Sequence, residues 1–311
     1  MTSIPAPAPI KARSKPGIGS GKALSYALLI LWAVISIMPF YLSAVYSFMP
    51  KANIFDPPRL IPEPFTLENF QSIFGSLQLF PVWMLNSIVI SSVVVALRLI
   101  FCSAAGYAFA RISFPGRDTI FWVLLFTMTL PGIVTLIPKY LLLNEADKLI
   151  AAGPLGDFLA ATFDTRGKLF IGTAMAIIVP DIAPAAGVFM ARQFFQNFPK
   201  EVEESAELDG LSRIAIFARI VLPLATPFLL GYGVLQFQGA WNDFMWPNIV
   251  LNKEAAFTLP LGLAYLRGLY TTVFSYVLAG SMFNSLPIIV IFLFFQRFFI
   301  GGVQMSGLKE G

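Results

Sequence analysis

The sequence predicts an all-α polytopic membrane protein with six transmembrane helices, and its composition and its apolar segments carry that prediction. Of its 311 residues, 57% are hydrophobic and 12% are charged, which is about half the charged share of a typical soluble domain. Six apolar stretches are long enough to cross a hydrocarbon core of about 30 Å, which takes about 20 helical residues. An ordinary soluble enzyme and a disordered chain are therefore excluded.

The predicted spans cover residues 23–48, 85–110, 119–138, 169–191, 223–247 and 274–296. The first stretch is longer than the apolar region of a cleaved signal peptide and no A-x-A-like site follows it, so we expect a retained anchor. The chain then divides into a basic tail at 1–22, the first span, an external loop at 49–84, a transmembrane core at 85–296 that includes a cytoplasmic loop at 192–222, and a C-terminal tail at 297–311.

Basic residues set the predicted orientation. Of the 21 Lys and Arg residues, twelve flank the spans on the side that carries both termini, eight lie on the other side, and Arg98 lies within a span. Because Lys and Arg are retained on the cytoplasmic side, we expect both termini there. Topology thus accounts for the net charge of +4, and no nucleic acid partner is needed to explain it.

The residues that the chain lacks restrict its chemistry. It has no histidine and one cysteine, which excludes imidazole acid–base catalysis, imidazole metal sites, disulfides within the chain and Cys-cluster zinc sites. The glycine-rich stretch 17–22 does not form a phosphate-binding loop, since Pro16 and Ala23 replace the first glycine and the Ser or Thr of that motif. We expect no catalytic residue, no metal and no cofactor on this chain.

Six prolines, at positions 39, 131, 138, 180, 184 and 227, lie within or at the ends of the spans. Membrane helices tolerate proline where neighbouring helices or water satisfy the freed carbonyls, so these positions predict a packed bundle around a cavity. No internal repeat relates the two halves of the sequence, which weakens the designs of secondary transporters that are built on such repeats.

The loop after the fourth predicted span has the pattern of two short helices. Pro199 fits a first helical position, the acidic residues within 201–204 complement the positive helix end, and Gly210 can end the helix. Ser212 can cap a second helix that runs into the fifth span. The acidic charge would repel anionic lipid on the cytoplasmic side, which indicates a protein partner; a solvated acidic loop is the alternative.

The same loop resembles the EAA loop of ABC importer permeases, whose pattern is E-A-A-x3-G-x9-I-x-L-P. Glu204, Ser205, Ala206, Gly210 and the sequence that ends at Pro223 match its spacing, with Ser205 in place of the first alanine. Four further motifs are similar to those of carbohydrate-importer permeases of the smaller, six-span, maltose-like type: Asn86-Ser87, 107–111 with 114–117, 192–195, and 241–244.

This resemblance implies an ABC type I importer transmembrane fold and a set of partners. The loop would be the coupling helix seated on an ATPase subunit dimer that holds ATP and magnesium. The implied coupling residues are Glu204, Ser205, Ala206, Glu207, Asp209, Gly210 and Pro223. A second permease subunit would complete the pathway in the bilayer of a bacterial or archaeal cell (inner) membrane, and an extracytoplasmic solute-binding protein would deliver a sugar or oligosaccharide that is not chemically changed.

Three alternatives stay open. Within the family, the substrate could be glycerol phosphate, for which Arg98 is the clear basic candidate. The chain could instead be a secondary transporter or channel that works alone on an ion gradient, but such a carrier has no need of an acidic loop that docks on an ATPase. A scaffold without transport is disfavoured, since it has no use for charges within the membrane.

Polar residues within the predicted spans are candidates for the substrate pathway. Arg98 and Asp181 lie roughly 20 and 18 Å along their helices from the outer side, where an isolated charge costs at least about 2.5 kcal/mol. We expect them to pair with each other or to line one pathway; a purely structural pair is the alternative. The full set of candidates is Arg98, Asp181, Gln236, Gln238, Trp241, Asn242 and Asp243.

Two roles are open for several of these residues. Gln236 and Gln238 can bind sugar hydroxyls or hold helices together, and Trp241, with Trp246, can form an interfacial aromatic belt or a sugar-stacking rim. By position alone, the predicted outer loop at 248–272 resembles the one that contacts the binding protein in maltose-like systems. The predicted outer loop at 141–168 has no assigned role.

Overall fold

The structure is a computed structural model that describes residues 20–50, 59–75, 78–163, 167–269 and 274–307. Most of the basic tail predicted at 1–22, the stretch 17–19 of the glycine-rich segment and the last residues of the C-terminal tail lie outside these ranges. In chain order the helices are α1 Ser20–Ser47, α2 Glu68–Gly75, α3 Phe80–Arg111, α4 Arg117–Thr127, α5 Gly132–Ala151, α6 Pro154–Phe163, α7 Met175–Ile178, α8 Ala185–Gln196, α9 Lys200–Leu208, α10 Arg213–Ile216, α11 Leu222–Leu224, α12 Thr226–Trp241, α13 Met245–Val250, α14 Leu259–Leu269 and α15 Phe274–Gly307.

The predicted all-α membrane fold is confirmed, with more bending than the apolar pattern showed. Within the described residues, α1, α3 and the first part of α15 are each long and apolar enough to cross a membrane alone. Three further spans result if each bent pair counts as one: α4 with α5 at 107°, α7 and its following 3-10 turn with α8 at 42°, and the segment Arg213–Leu224 with α12 at 75°. Counted in this way, the described residues contain up to six spans, which is the predicted number.

Prolines lie beside all three bends. Pro131 precedes α5 and Pro184 precedes α8, while Pro227 occupies the first turn of α12. Proline lacks an N–H and its ring clashes with the carbonyl one turn back, so a helix resumes at a proline more readily than it continues through one. The bends therefore follow from the prolines that the sequence places at the ends of the spans.

Helix α3 contacts several other helices of the bundle and packs most closely on α8. A Cβ on Gly106 would lie 2.5 Å from the Cβ of Ala191, and one on Gly187 would lie 2.0 Å from the Tyr232 hydroxyl of α12. Tyr232 also covers Cys102, whose sulfur accepts its hydrogen bond at 3.5 Å. Glycines at the contacts thus bring the backbones of α3 and α8 together, as small residues do between membrane helices.

The described part of the segment 248–272 is folded, with the exposed residues 252–255 followed by the mostly buried first half of α14. Leu259, at the start of α14, is fully buried, and its backbone N–H donates to the Ser87 hydroxyl at 2.7 Å. Asn86 donates to the carbonyls of Ala255 and Phe257 at 2.9 and 3.0 Å. The Asn86-Ser87 motif therefore ties this segment to the first turns of α3.

The described part of the segment 141–168 is mostly helical, since it contains the second half of α5 and all of α6. Asp147 of α5 is 1% exposed, and its carboxylate accepts hydrogen bonds of 2.8 Å from three consecutive N–H groups, those of Leu169, Phe170 and Ile171. These bonds compensate the burial of the charge. Asp147 thus fixes the chain where it enters α7.

Candidate functional site

The acidic loop forms a helical corner made of α9, a glycine turn and α10. Pro199 caps α9, so the first helical residue is Lys200, one position later than expected. Gly210 has a φ of +82°, a left-handed conformation that favours glycine. Ser212 caps α10 as predicted, because its hydroxyl accepts a hydrogen bond from the Ala215 N–H at 3.4 Å.

The second helix leads into the fifth predicted span, but through a bend that the sequence did not reveal. Helix α10 passes into a π-helical turn at Phe217–Val221 and then into α11, and the chain bends by 75° before α12 begins at Thr226. Pro223 of the EAA-like pattern lies in this bent segment and is exposed. The corner is therefore set at an angle to the span that follows it.

Most of the predicted coupling residues face outward. Glu204, Ser205, Glu207, Asp209 and Gly210 are exposed, whereas Ala206 is buried in a cluster with aromatic and aliphatic side chains of α3, α8 and α10. Two apolar side chains missed by the sequence reasoning join them at the surface: Leu208 is 89% exposed and Ile214 is 82% exposed. We call the exposed face of α9 and α10, with Glu204, Glu207, Leu208, Asp209 and Ile214, the coupling surface.

A buried polar network holds α9 against the end of α3. The Arg111 guanidinium lies 3.0 Å from the Glu203 carboxylate, and the two side chains are only 10% and 14% exposed. The Tyr107 hydroxyl donates to the same carboxylate at 2.9 Å, and Arg111 also donates to the Phe198 carbonyl. Sequence reasoning missed this network, because it assigned Glu203 to the helix dipole and Arg111 to a motif of unstated function.

A polar cluster brings four elements together at the middle of α3. The Arg98 guanidinium donates to the Asp181 carbonyl at 2.9 Å and to the Gln236 side-chain oxygen at 2.7 Å, and it lies 3.7 Å from the Asp181 carboxylate. The Lys139 ammonium of α5 lies 3.2 Å from the same carboxylate and 4.3 Å above the Trp246 ring. The expected contact between Arg98 and Asp181 is present, and Lys139 extends it.

Lys139 has a weak signal in the sequence, since it stands at the end of an apolar run and was counted among the external charges. The helix that leads to Asp181 is shorter than expected. Only about 9 Å of helix, beginning at Met175, precedes Asp181, because the chain from 169 to 174 forms turns. The contact with Arg98 nevertheless places both charged groups at one level of the bundle, as expected.

The remaining pathway candidates differ in how far their side chains are buried. Gln238 and Asn242 are exposed, and Asp243 is half-buried within electrostatic range of Lys139, Asp181 and Arg98. Trp241 is only 1% exposed, and its indole N–H donates to the Asn284 carbonyl at 2.9 Å.

Trp246 is similarly buried, with its indole N–H on the Ala176 carbonyl at 2.8 Å. A lipid-facing belt and a sugar-stacking rim are therefore both wrong for Trp241 and Trp246. Both rings are core residues, whose N–H groups find carbonyl partners as buried indoles usually do.

Comparisons with known proteins agree with this geometry. Residues 102–303 match the family described as binding-protein-dependent transport system inner membrane component. The chain is 33% identical to the arabinooligosaccharides transport system permease protein of Halalkalibacterium halodurans, over 96% of this chain and 100% of that protein. It is 30% identical to the trehalose/maltose transport system permease protein of Thermococcus litoralis, over 90% of this chain and 94% of that protein.

A bacterial ABC transporter that imports the acidic polysaccharide alginate has a chain of similar fold. Its TM-score is 0.73 at 20% sequence identity, and the match covers 94% of this chain and 100% of that one. A second structure of an alginate transporter, in complex with a periplasmic protein that holds an alginate pentasaccharide, matches with a TM-score of 0.58 at 17% identity. These likenesses confirm the predicted fold of an ABC importer permease.

Proposed function

Since the chain belongs to the family of binding-protein-dependent transport system inner membrane components, we propose that it is the permease subunit of an ATP-driven importer for a sugar or oligosaccharide. The observation that carries the proposal is the coupling surface, an exposed helical corner that joins acidic side chains to two exposed apolar ones. The relatives named for arabinooligosaccharides and for trehalose/maltose support a carbohydrate as the substrate.

The coupling surface suits a protein groove with an apolar floor and a basic rim. Leu208 and Ile214 expose more than four fifths of their surface, and burying such side chains gives about 1.5–3 kcal/mol each. Glu204, Glu207 and Asp209 surround them with negative charge, which would orient the docking. The partner is an ATPase subunit dimer, which holds ATP and magnesium in place of a nucleotide site on this chain.

The polar cluster is the part of the substrate pathway that this chain contributes. Asp181 is 46% exposed, while Arg98 and Lys139, at 15% and 23%, are mostly covered. A carboxylate that faces an open space while two cations hold it can accept hydrogen bonds from sugar hydroxyls. Gln236 is held by Arg98, and Gln238, Asn242 and Asp243 extend the polar lining from α12.

The same cluster favours a neutral sugar over glycerol phosphate. Lys139 adds a second cation that the sequence did not reveal, but both cations already share the Asp181 carboxylate. Asp243 adds a second acidic group within electrostatic range. Two cations against two acids leave no excess positive charge for a phosphate, which needs unpaired basic donors.

A second permease subunit, a solute-binding protein and the bilayer complete the proposed assembly. Only 6% of the apolar window of α1 is buried within this chain, so this helix faces lipid or another subunit. The assembly lies in the cell membrane of a bacterium or archaeon, with both termini in the cytoplasm as the distribution of basic residues favours.

A pull-down through a C-terminal tag in mild detergent, followed by mass spectrometry and transport assays, tests the proposal. We expect a second six-to-eight-span permease and a nucleotide-binding ATPase to accompany the chain. In liposomes, the complex with its binding protein should then take up arabinotriose or maltotriose only with ATP, and not glycerol 3-phosphate. A chain recovered alone that moves solute without ATP would establish the gradient-driven carrier instead.

A further inference from the structure

We propose that α3 transmits movement of the coupling surface to the polar cluster, with Arg111, Tyr107 and Glu203 as the positioning residues that fasten α9 to it. This inference rests on the proposed importer function, and it names the part of the chain that connects the two ends of that function. Three routes along the chain lead from the corner to the cluster.

Each of the three routes ends at a different member of the cluster. One follows α8 and the 3-10 turn to Asp181, a second follows α10 and α12 to Gln236, and the third follows α3 to Arg98. The first bends by 42° before α8, and the second passes through a π-helical turn and a bend of 75°. Sharp kinks occur at prolines and π turns, where the regular hydrogen bonds of the helix are interrupted, so neither of these routes is one continuous helix from the corner to the cluster.

The third route is one uninterrupted helix. Helix α3 has 32 residues without a break, and Pro81 lies in its first turn, where proline does not interrupt hydrogen bonds. Among the described helices that are long enough to span a membrane alone, α1 and α15 each contain an internal proline. Arg98 and Arg111 are separated by roughly 20 Å along this continuous helix.

The polar contacts between α9 and α3 are suited to transmit a movement of α9 to α3. Arg111 and Glu203 are almost completely covered, and the carboxylate accepts a hydrogen bond from Tyr107. Arg111 Nε and Glu203 Oε1 themselves form an ion pair without a hydrogen bond, and breaking this pair would leave an uncompensated charge that is mostly covered by protein. The pair between Arg213 and Glu207 on the same corner is 3.5 Å long and about half exposed, so it contributes little.

The opposite end of α3 is fastened as well. Trp83 donates from its indole N–H to the Glu254 carbonyl at 2.7 Å, and Asn86 and Ser87 hold the following residues. From Trp83 to Arg111 the helix measures roughly 42 Å, which is more than the hydrocarbon core. The coupling surface, the polar cluster and the segment before α14 are therefore attached to a single rigid element.

The test compares uptake per ATP hydrolysed in the complete complex. Tyr107→Phe removes one hydroxyl, and Glu203→Gln removes the charge but keeps the shape. Asp118→Asn is the matched control, since its partner Arg117 is also 3.0 Å away but the carboxylate is 69% exposed. The transported probe is arabinotriose, or maltotriose where arabinotriose is not taken up.

We expect Tyr107→Phe and Glu203→Gln to assemble and hydrolyse ATP while uptake per ATP falls by about 2- to 30-fold, the range for residues that couple distant sites. Each should also be non-additive with Arg98→Gln in a double-mutant cycle. If Glu203→Gln fails to assemble, the test uses two other variants. One is Tyr107→Phe, and the other is the double variant Arg111→Gln with Glu203→Gln, which removes both charges of the pair together.

Uptake per ATP equal to that of Asp118→Asn in the assembled variants would overturn the role of α3 and leave the importer intact. A wild-type complex without ATP-dependent uptake would instead overturn the proposed function, and this inference with it. The two failures are thus distinguishable in one set of measurements.

Discussion

At the scale of single residues, Asp181 has the most demanding position, because one carboxylate serves two cations. We expect Asp181→Asn to impair uptake or assembly, since it removes the carboxylate charge that both Arg98 and Lys139 contact. Arg98→Gln should do the same, because Asp181 and Gln236 lose their shared partner. Both are measured as sugar uptake and as yield of the assembled complex.

The pair between Glu145 and Lys148 provides the control for these two variants. Its atoms are 2.6 Å apart, yet both side chains are more than 60% exposed, so Glu145→Gln should change stability by no more than about 0.5 kcal/mol. Full transport by both Arg98→Gln and Asp181→Asn would show that the cluster is dispensable.

A functional or structural role could be predicted from the sequence only for residues whose polarity differs from that of their neighbours in the chain. Arg98 and Asp181 stand out because a charge within an apolar run has few structural explanations. Asp147 does not, because an acidic residue in a polar stretch resembles a solvated one, although the folded chain buries it on three N–H groups. Trp241 was assigned an exposed role because tryptophans near the end of a span are often interfacial. Core tryptophans occur at the same place, and the sequence does not distinguish the two.

At the scale of elements, the contact between α3 and α8 depends on a missing side chain. We expect Gly106→Ala to destabilise the protein by about 1–3 kcal/mol, the usual cost of overpacking, because the new Cβ would lie 2.5 Å from Ala191 and 2.7 Å from the Arg192 nitrogen. Thermal unfolding in detergent measures the loss.

Gly239→Ala is the matched control in another helix, since nothing lies within 4 Å of a Cβ built there. It should be neutral or slightly stabilising, as alanine favours the helix. Equal stability of the two variants would contradict the close packing of α3 on α8.

The coupling surface gives the second prediction at this scale. Glu204→Lys, Leu208→Asp and Gly210→Pro should leave membrane insertion intact and abolish substrate-stimulated ATP hydrolysis. The first two change exposed side chains, and proline cannot adopt the φ of +82° that Gly210 has. ATP hydrolysis is measured in liposomes with the binding protein present.

Ile61→Asp is the control for the change at Leu208, because Ile61 is 64% exposed and lies in the predicted external loop. It should leave stimulation unchanged. Unchanged stimulation in Glu204→Lys would refute the coupling role of α9.

Elements were predictable where one local feature decides them. The corner of α9 and α10 follows from Pro199, Gly210 and Ser212, each of which acts within one turn. The 107° bend between α4 and α5 was only partly predictable, because Pro131 marks where the helix is interrupted but no residue in 119–138 specifies the direction that the chain takes after it. Pro138 misled in the same stretch, since it remains inside α5.

At the scale of the whole molecule, orientation is the property to measure. The excess of basic residues predicts that both ends of the chain are cytoplasmic. A green fluorescent protein fused to the C-terminus should fluoresce, and alkaline phosphatase fused there should be inactive. The reverse result would invert the chain, placing the coupling surface outside the cell.

The overall fold was more predictable than the site, and the reason is physical. A bilayer requires spans of about 20 apolar residues, so their number can be read from the chain. Contacts between distant segments, such as Lys139 with Asp181 or Arg111 with Glu203, depend on how the spans pack, and no local pattern specifies that packing.

The burial of Cys102 beneath Tyr232 has a practical consequence for spectroscopy. It is the one cysteine in the sequence, and its side chain is fully buried. Thiol-reactive fluorophores and spin labels attach to exposed thiolates, so the native chain already serves as an unlabelled background. A single cysteine introduced at any exposed position would then report on that position alone.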